Sequence, residues 1–357
     1  MRAMIVKEFR QLRRDRRTLA MMIVMPVLLL VVLGYAASFD VSDIPTVVAG
    51  PRAAVAAQAL PKSFQVAATN PATPGPAAAW AQDELRDGHA AVAIVTAGPG
   101  GRPLILVDGS QLFTAQAALR QFVAERSGQA GTTASVSAAV ADVTTHILYN
   151  PELKTSYIMI PGLAGVILVF VGTVITSLGV VRERQAGTLE QLAVMPLRPA
   201  DVFLGKIVPY FVVAVADLVI VLAVGVAVFG VPFRGSLAVF GLGALLFVFV
   251  TLGLGVLISS VSQTQGQAIQ LAVMTLLPQV LLSGLIFPLT SIVAGVRWIA
   301  YLLPLTYFTE ISRGVMLRAQ PIGSLWAPFL YLALLGTAVT GLAIWRFRAF
   351  LAPGAAR

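Results

Sequence analysis

Residues 18–39 read TLAMMIVMPVLLLVVLGYAASF, 22 residues without one charged side chain. A helix needs about 20 mostly apolar residues to cross a hydrocarbon core of about 30 Å. Five further stretches meet that length: Ile158–Val181, Val208–Phe229, Leu237–Val261, Ala268–Phe287 and Leu325–Trp345, with Asp217 the only charge inside them. Charged residues make up 11% of the chain, against about 25% in an average soluble domain. Mean hydropathy is +0.86. The fold class expected is therefore a polytopic α-helical membrane protein with six transmembrane helices.

Charge placement sets the expected orientation. The net charge of +9 does not point to nucleic acid, because the basic residues gather beside spans. Arg2, Lys7, Arg10, Arg13, Arg14, Arg16 and Arg17 all precede the first span. Lysine and arginine concentrate on the cytoplasmic flanks of spans, which puts the N-terminus in the cytoplasm. Six crossings return the C-terminus to that side, in agreement with Arg346, Arg348 and Arg357. The loop 182–207 falls there too. Arg297, Arg313 and Arg318 fall on the outer side and dissent. The first apolar run exceeds the 7–15 residues of a secretory leader and reads as an uncleaved anchor. Multi-pass insertion in the cell (inner) membrane is the expected location.

The chain has no cysteine and only His89 and His146, so thiolate chemistry is excluded and a histidine-rich metal site is not expected. No phosphate-binding loop is present: Gly205-Lys206 is followed by Ile207 and lacks the upstream glycine. No catalytic triad or carboxylate dyad is visible. The chain reads as a non-enzyme that needs a partner or an ion gradient to do work.

Four regions follow. Residues 1–17 place Met1, Ile5, Phe9 and Leu12 on one helical face and Lys7, Arg10, Arg14 and Arg17 on another, the pattern of an interfacial helix lying on lipid. Residues 18–39 are the first span. Residues 40–157 alternate strand-type and helix-type runs: Ile44–Ala49, Gln65–Thr69, Ala91–Thr96 and Leu104–Val107 as strands, Ala77–Asp87 and Gln111–Arg126 as helices, with Pro71, Pro74 and Pro76 in a loop. One small extracytoplasmic α/β domain is expected there. In Gln111–Arg126, Leu112, Ala115, Leu119, Phe122 and Val123 share a face. Residues 158–357 carry the other five spans. Between the last two, residues 288–324 are too polar to cross. Ile292, Val296, Ile299 and Leu303 line one face before Pro304, and a second helix is expected over Thr306–Leu317, giving an outer re-entrant segment.

The segment 181–206 reads VRERQAGTLEQLAVMPLRPADVFLGK. Thr188 can cap a short helix with Gln191 as its capping-box partner, Leu189, Leu192 and Val194 give it an apolar side, and Pro196 and Pro199 stop it. Asp201 can cap the helix that follows. A short rigid helix at the membrane surface can receive a push from another protein; otherwise it is a solvated loop.

Arg182-Glu183-Arg184, Gly187-Thr188-Leu189-Glu190-Gln191-Leu192, Pro196 and Gly205-Lys206 resemble the cytoplasmic loop of permease subunits of type-2 ABC exporters. Asp108-Gly109-Ser110, Tyr149-Asn150-Pro151 and Pro304-Leu305-Thr306-Tyr307-Phe308 resemble further pieces of the subfamily with a large extracytoplasmic domain. Gln185 departs from the acidic residue common there. The resemblance implies a partner subunit that binds ATP and magnesium, pairing with an identical or paralogous permease, and export of drug-like, lipidic or other substrates. It also implies that Thr188, Leu189, Glu190 and Leu192 dock on the ATPase, with Glu183 and Arg184 at the hinge. A periplasmic adaptor would fit the size of the outer domain.

Asp217, Gln267 and Gln270 are the candidate lining of a translocation path. A carboxylate near a helix centre costs about 2.5–3.5 kcal/mol on insertion scales and should face the bundle or a cavity. Asp217 is then either a substrate or proton site or a buried polar contact between spans. Gln263, Gln267 and Gln270 share a face that lines an entrance or bonds between helices. Gly253 and Gly255 permit close packing. Two other function classes compete: an ion-coupled secondary carrier using Asp217, and a non-transporting membrane scaffold or sensor.

Overall fold

The computed structural model describes residues 43–97, 103–126, 144–185 and 199–351. The expected interfacial helix 1–17 and first span 18–39 lie outside them, as do residues 186–198.

Residues 43–148 build a five-stranded sheet with helices on both faces. In chain order the elements are β1 (Ile44–Ala49), α1 (Ala53–Ala59), β2 (Phe64–Asn70), α2 (Pro74–Arg86), β3 (Val92–Val95), β4 (Leu104–Asp108), α3 (Leu112–Arg126) and β5 (Thr144–Leu148). The strand order is β2-β1-β3-β4-β5, and every neighbouring pair is parallel except the β3–β4 pair. Side chains alternate between faces along a strand. Ile44, Val48, Val92, Ile94, Ile105 and Val107 accordingly pack with α1 and α3, where Phe64 and Phe122 stack at 5.2 Å. Val47, Ala49, Ala93, Val95 and Leu106 pack on the other face under Ala77, Ala81 and Leu85 of α2.

Three expectations need correction here. Helix α2 begins at Pro74, not Ala77, because prolines lose nothing in a first turn whose N–H groups have no intrahelical partner. Val123 is 64% exposed; Ala118 takes its place on the buried face of α3. Helix α1 and strand β5 carry too little apolar patterning to stand out.

Eight α-helices follow among the described residues. They are α4 (Thr155–Val169), α5 (Thr176–Gln185), α6 (Pro199–Ala227), α7 (Leu237–Val261), α8 (Gln265–Leu282), α9 (Ala294–Ala300), α10 (Pro304–Met316) and α11 (Trp326–Leu351). A π-helical turn, Phe170–Ile175, joins α4 to α5 in one rod about 46 Å long. Four stretches among the described residues are long and apolar enough to cross a membrane: Thr155–Arg182, Tyr210–Ala227, Leu237–Val261 and Trp326–Arg346. Helix α8 is shorter and more polar, with glutamines at 265, 267, 270 and 279. It also ends before the expected Phe287, because Gly284 turns the chain at φ +80°. Helix α6 starts at Pro199, so Asp201 sits inside its first turn rather than at its cap.

Helix α7 is the hub, packed on α4, α5, α10 and α11. Small residues set the spacing. A Cβ on Gly255 would overlap the Gly172 carbonyl oxygen, and one on Gly172 would overlap Thr251 Oγ1. Gly253 lies 3.1 Å from Val339 Cγ1, measured from the position of an added Cβ. Phe247 stacks on Phe308 of α10 at 4.4 Å.

Neither α-helix within residues 288–324 is long enough to cross a bilayer, at 7 and 13 residues. Leu282, Ile292 and Ala300 form a small core with Val296, Ile299 and Leu303, as their spacing suggests. The second helix begins at Pro304, two residues earlier than expected. Thr306 Oγ1 donates to Ala300 O at 2.7 Å and Tyr307 OH to Tyr301 O at 2.6 Å, tying the start of α10 to the end of α9.

Each of the three dissenting arginines has partners within the chain. Arg297 donates to Ile292 O (3.0 Å) and Thr290 O (2.7 Å), and Arg313 to Gly284 O and Leu285 O (both 3.1 Å). Arg318 reaches the sheet domain. Its Nη1 lies 3.5 Å from Asp108 Oδ2, with side chains 7% and 0% exposed, and its Nη2 donates to Gln320 Oε1 at 3.3 Å. Gly88, at φ +79° past the end of α2, leaves room for this guanidinium, which an added Cβ would approach to 2.8 Å. Asp108 Oδ1 also accepts from Ser110 N at 2.9 Å. Beside it, Asn150 Nδ2 donates to Lys154 O at 3.1 Å and its Oδ1 accepts from Lys154 N at 2.9 Å, while Gly109 N donates to Leu148 O at 3.0 Å. The Asp108-Gly109-Ser110 and Tyr149-Asn150-Pro151 pieces thus meet where the sheet domain joins α4.

Breaking one half of a buried ion pair strands the other charge, at a cost of about 3–5 kcal/mol. Arg318→Met should lower the unfolding midpoint and expose the stretch before α4 to protease, and Asp108→Asn in the same chain should recover part of the loss. A single variant as stable as the parent would show that the pair does not hold the joint. Gly255→Leu forces α7 away from the α4–α5 rod, and overpacking of this kind costs about 1–3 kcal/mol or more. Thermal unfolding in detergent reads it directly, and an unchanged midpoint would refute the contact.

Candidate functional site

The α4–α5 rod leaves the sheet domain at Thr155 and ends at Gln185, beside the start of α8. Residues 186–198 follow this end in the sequence. Gly187, Thr188, Leu189, Glu190, Gln191, Leu192 and Pro196 therefore lie outside the described residues, together with Lys7, Phe9, Arg10, Arg14 and Arg17. The backbone of α5 carries Glu183 and Arg184, and that of α6 carries Lys206; their side chains are likewise outside the described set.

What is described on either side of 186–198 is a polar clamp. Gln265, the first residue of α8, accepts from Arg182 Nε at 3.2 Å and donates from Nε2 to Gln185 Oε1 at 2.8 Å. One amide thus holds two successive faces of the last turn of α5. Position 185 makes this contact with a neutral amide, and no charge pairing is needed there. From the preceding turn of α5, a Cβ on Gly179 would overlap the Tyr210 hydroxyl, so the Tyr210 side chain of α6 reaches against α5. The clamp was missed in the sequence because its members are 80 and 83 residues apart.

The start of α8 is separately fixed. Thr264 Oγ1 accepts from Gln267 N at 3.3 Å, and Gln267 Oε1 accepts from Gln263 N at 2.9 Å. This is a reciprocal cap of the capping-box kind. Gln267 is 8% exposed and committed to that cap rather than free to line a path. Gln263 precedes the helix, so it does not share a helical face with Gln267 and Gln270. Gln270 is half-buried one turn further on.

Asp217 lies in the middle of α6, half-buried between Ala214 and Leu218 on the packed side and Val213 and Ile220 on the open side. It makes no hydrogen bond or ion pair with the other described residues. Helix α6 packs loosely: only 17% of its apolar window is buried inside the chain, and Val212, Val219 and Ile220 are about 60% exposed. Among the described residues there is no cluster of metal-ligating side chains.

The family model described as "ABC-2 family transporter protein" matches residues 16–345. The chain is 36% identical over 193 residues to "Probable multidrug ABC transporter permease YbhR" of Escherichia coli, covering 54% of this chain and 52% of that one. It is 28% identical over 346 residues to "Probable multidrug ABC transporter permease YbhS", covering 89% of each. It is 31% identical over 216 residues to "Inner membrane transport permease YhhJ", covering 59% and 57%. The matched stretch thus spans about half the length of YbhR and nearly all of YbhS. With a family match running from before the first apolar stretch to the end of the last, this chain belongs to the ABC-2 transporter family.

Proposed function

We propose that the chain is the membrane-spanning permease subunit of an ATP-driven exporter. The observation that carries this reading is the family match over residues 16–345, which takes in every apolar stretch and the segment 186–198 between α5 and α6. In this reading the chain has six spans, adding 18–39 and α8 to the four apolar stretches described above. The interfacial helix 1–17 and both termini are cytoplasmic, and the sheet domain is extracytoplasmic. The satisfied backbone of α9 and α10 supports a segment that dips into the outer side without crossing, since backbone at that depth must be shielded by protein.

The chain itself carries no nucleotide-binding loop. ATP and magnesium bind a separate subunit, which docks on Gly187–Pro196 and on the interfacial helix. The clamp at Gln265 supports a coupling role: a displacement of the 186–198 segment is passed through the last turn of α5 to α8, and through Gly179 and Tyr210 to α6. Two permease copies, identical or paralogous, pair in the membrane, and the open apolar face of α6 beside Asp217 is available to line their contact. Substrates are drug-like, lipidic or of another kind, and the word multidrug in the names of YbhR and YbhS favours the first. A periplasmic adaptor on the sheet domain completes the path where the cell has two membranes.

The first test is purification from the native membrane in mild detergent. An ATP-binding subunit at about one to one supports the reading. Its reproducible absence, with export intact, favours an ion-coupled carrier instead. Glu190→Arg and Leu192→Asp should insert normally but lose the ATPase. Central contacts of this kind are worth about 2 kcal/mol or more, so the affinity should fall at least about thirtyfold. Unchanged export in both variants would rule out docking at this segment. Gln265→Ala removes two hydrogen bonds, each worth about 1 kcal/mol. The ratio of substrate exported to ATP hydrolysed should fall while the amount of bound ATPase stays the same.

A further inference from the structure

A cavity of about 250 Å³ lies where the sheet domain, α10 and the turn after α8 meet. Its floor is one stripe of α10: Thr306, Thr309, Glu310 and Arg313, spaced as a single helical face. One wall is the first turn of α3 with Ser110 and Leu112, and the other is the turn Ser283–Leu285 with Leu289. Arg318 closes one side. None of these residues belongs to the far-end clamp.

Three features of the cavity have no use inside the chain. Glu310 lines the cavity, is exposed, and makes no hydrogen bond or ion pair among the described residues. Burial holds its carboxyl above the ordinary range, with Arg318 pulling the other way. The hydroxyls of Ser110, Ser283 and Thr309 are buried without a partner, at 1–2% residue exposure. So are Nε of Arg313 and Nε of Arg318. Buried polar groups are nearly always hydrogen-bonded, so five such atoms around one cavity mark an unfilled requirement.

The charges narrow what would fill it. Asp108 balances Arg318, and Glu310 and Arg313 carry opposite charges without forming an ion pair. The site is neutral as a whole and polarised within. A bare cation would meet Arg313, and a bare anion would meet Glu310. Leu112, Ile158, Leu285 and Leu289 add an apolar wall. We propose that this cavity binds the headgroup of a membrane amphiphile that carries an ammonium beside a phosphate, with Glu310 taking the ammonium and Arg313 and Arg318 lying on the phosphate side. The unpartnered hydroxyls of Thr309 and Ser283 supply the remaining hydrogen bonds to the ammonium, and the tails leave along the apolar wall. The proposal rests on this end of the helices lying at a membrane surface, and not on the identity of the energy source.

The test uses the full chain, delipidated in detergent and titrated with mixed micelles of dioleoyl phosphatidylethanolamine or dioleoyl phosphatidylglycerol. Native mass spectrometry counts bound lipid, and the unfolding midpoint reports stabilisation. Wild type should bind phosphatidylethanolamine in preference to phosphatidylglycerol. Glu310→Gln should weaken phosphatidylethanolamine at least about tenfold, as expected for losing a charged hydrogen bond, and leave phosphatidylglycerol unchanged. Thr309→Val, which removes an unpartnered hydroxyl without changing shape, should weaken the same lipid with no loss of lipid-free stability; it keeps the test open if Glu310→Gln folds poorly. Equal binding of both lipids by wild type, or equal binding of phosphatidylethanolamine by wild type and both variants, overturns the proposal. Tetradecylamine, which has tail and ammonium without phosphate, and free phosphoethanolamine, which has no tail, should each bind at least about tenfold more weakly. Binding by either that matches the lipid would also overturn it. Loss of the ATPase partner would leave every one of these results unaffected.

Discussion

Backbone polar groups away from water must find partners within the chain, and this requirement organises the helical part of the molecule. Long helices meet it internally. The stretch from Ser283 to Leu325 cannot, because it turns repeatedly, and its carbonyls are taken up by side chains instead: Arg297 on Ile292 and Thr290, Arg313 on Gly284 and Leu285, Thr306 on Ala300 and Tyr307 on Tyr301. Arg297 and Arg313, two of the three arginines that oppose the charge rule for topology, are structural for this reason, because a guanidinium's fork of donors matches a pair of carbonyl oxygens. The third, Arg318, bonds the Asp108 carboxylate and the Gln320 side chain instead.

The same segment connects the two parts of the molecule. Arg318 follows directly from α10 and reaches into the base of the sheet domain, where Asp108 ends β4. Asp108 is bonded to Ser110 N as well, and so fixes both the turn into α3 and the position of the domain over the helices. Asn150 performs the matching task on the covalent connection, bracing the entry to α4. A push on α10 is in this way mechanically linked to the domain. At the opposite end, Gln265 links α5 and α8, and the Tyr210 side chain of α6 reaches against α5 at Gly179. Between the two ends, contact rests on close approach rather than on burial from water, which lipid does not drive; glycines at 172, 253 and 255 let backbones touch, and Phe247 stacks on Phe308.

Legibility in the sequence varied with the range of the forces involved. The sheet strands stood out because their apolar runs are local: β1 is found at Ile44–Ala49 as its pattern indicates, and β4 gains only Asp108. Helix α7 matches its apolar run end to end. Strand β5, with Thr144, Thr145 and His146, shows no such run and exists because β4 offers it a parallel edge. Gln267 looked like a pore residue by composition and is a helix cap by geometry. The clamp at Gln265, the Asp108–Arg318 pair and the cavity around Glu310 join residues 80 to 210 positions apart, which no local pattern encodes.

The sequence by itself determined that this chain carries runs long and apolar enough to cross a membrane, and that a compact domain of strands and helices precedes four of them. Those properties follow from the lengths of uncharged runs and the alternation of residues 44–126, which act over a few turns of chain. The tertiary structure decided which polar residues are spent on architecture and which are left over. Arg297, Asp108, Asn150 and Gln267 are consumed by partners within the chain; Glu310, the hydroxyls of Ser110, Ser283 and Thr309, and Nε of Arg313 and Arg318 are not. That division depends on where carbonyls and charges come to rest after the chain has turned back on itself, and only the folded arrangement supplies it.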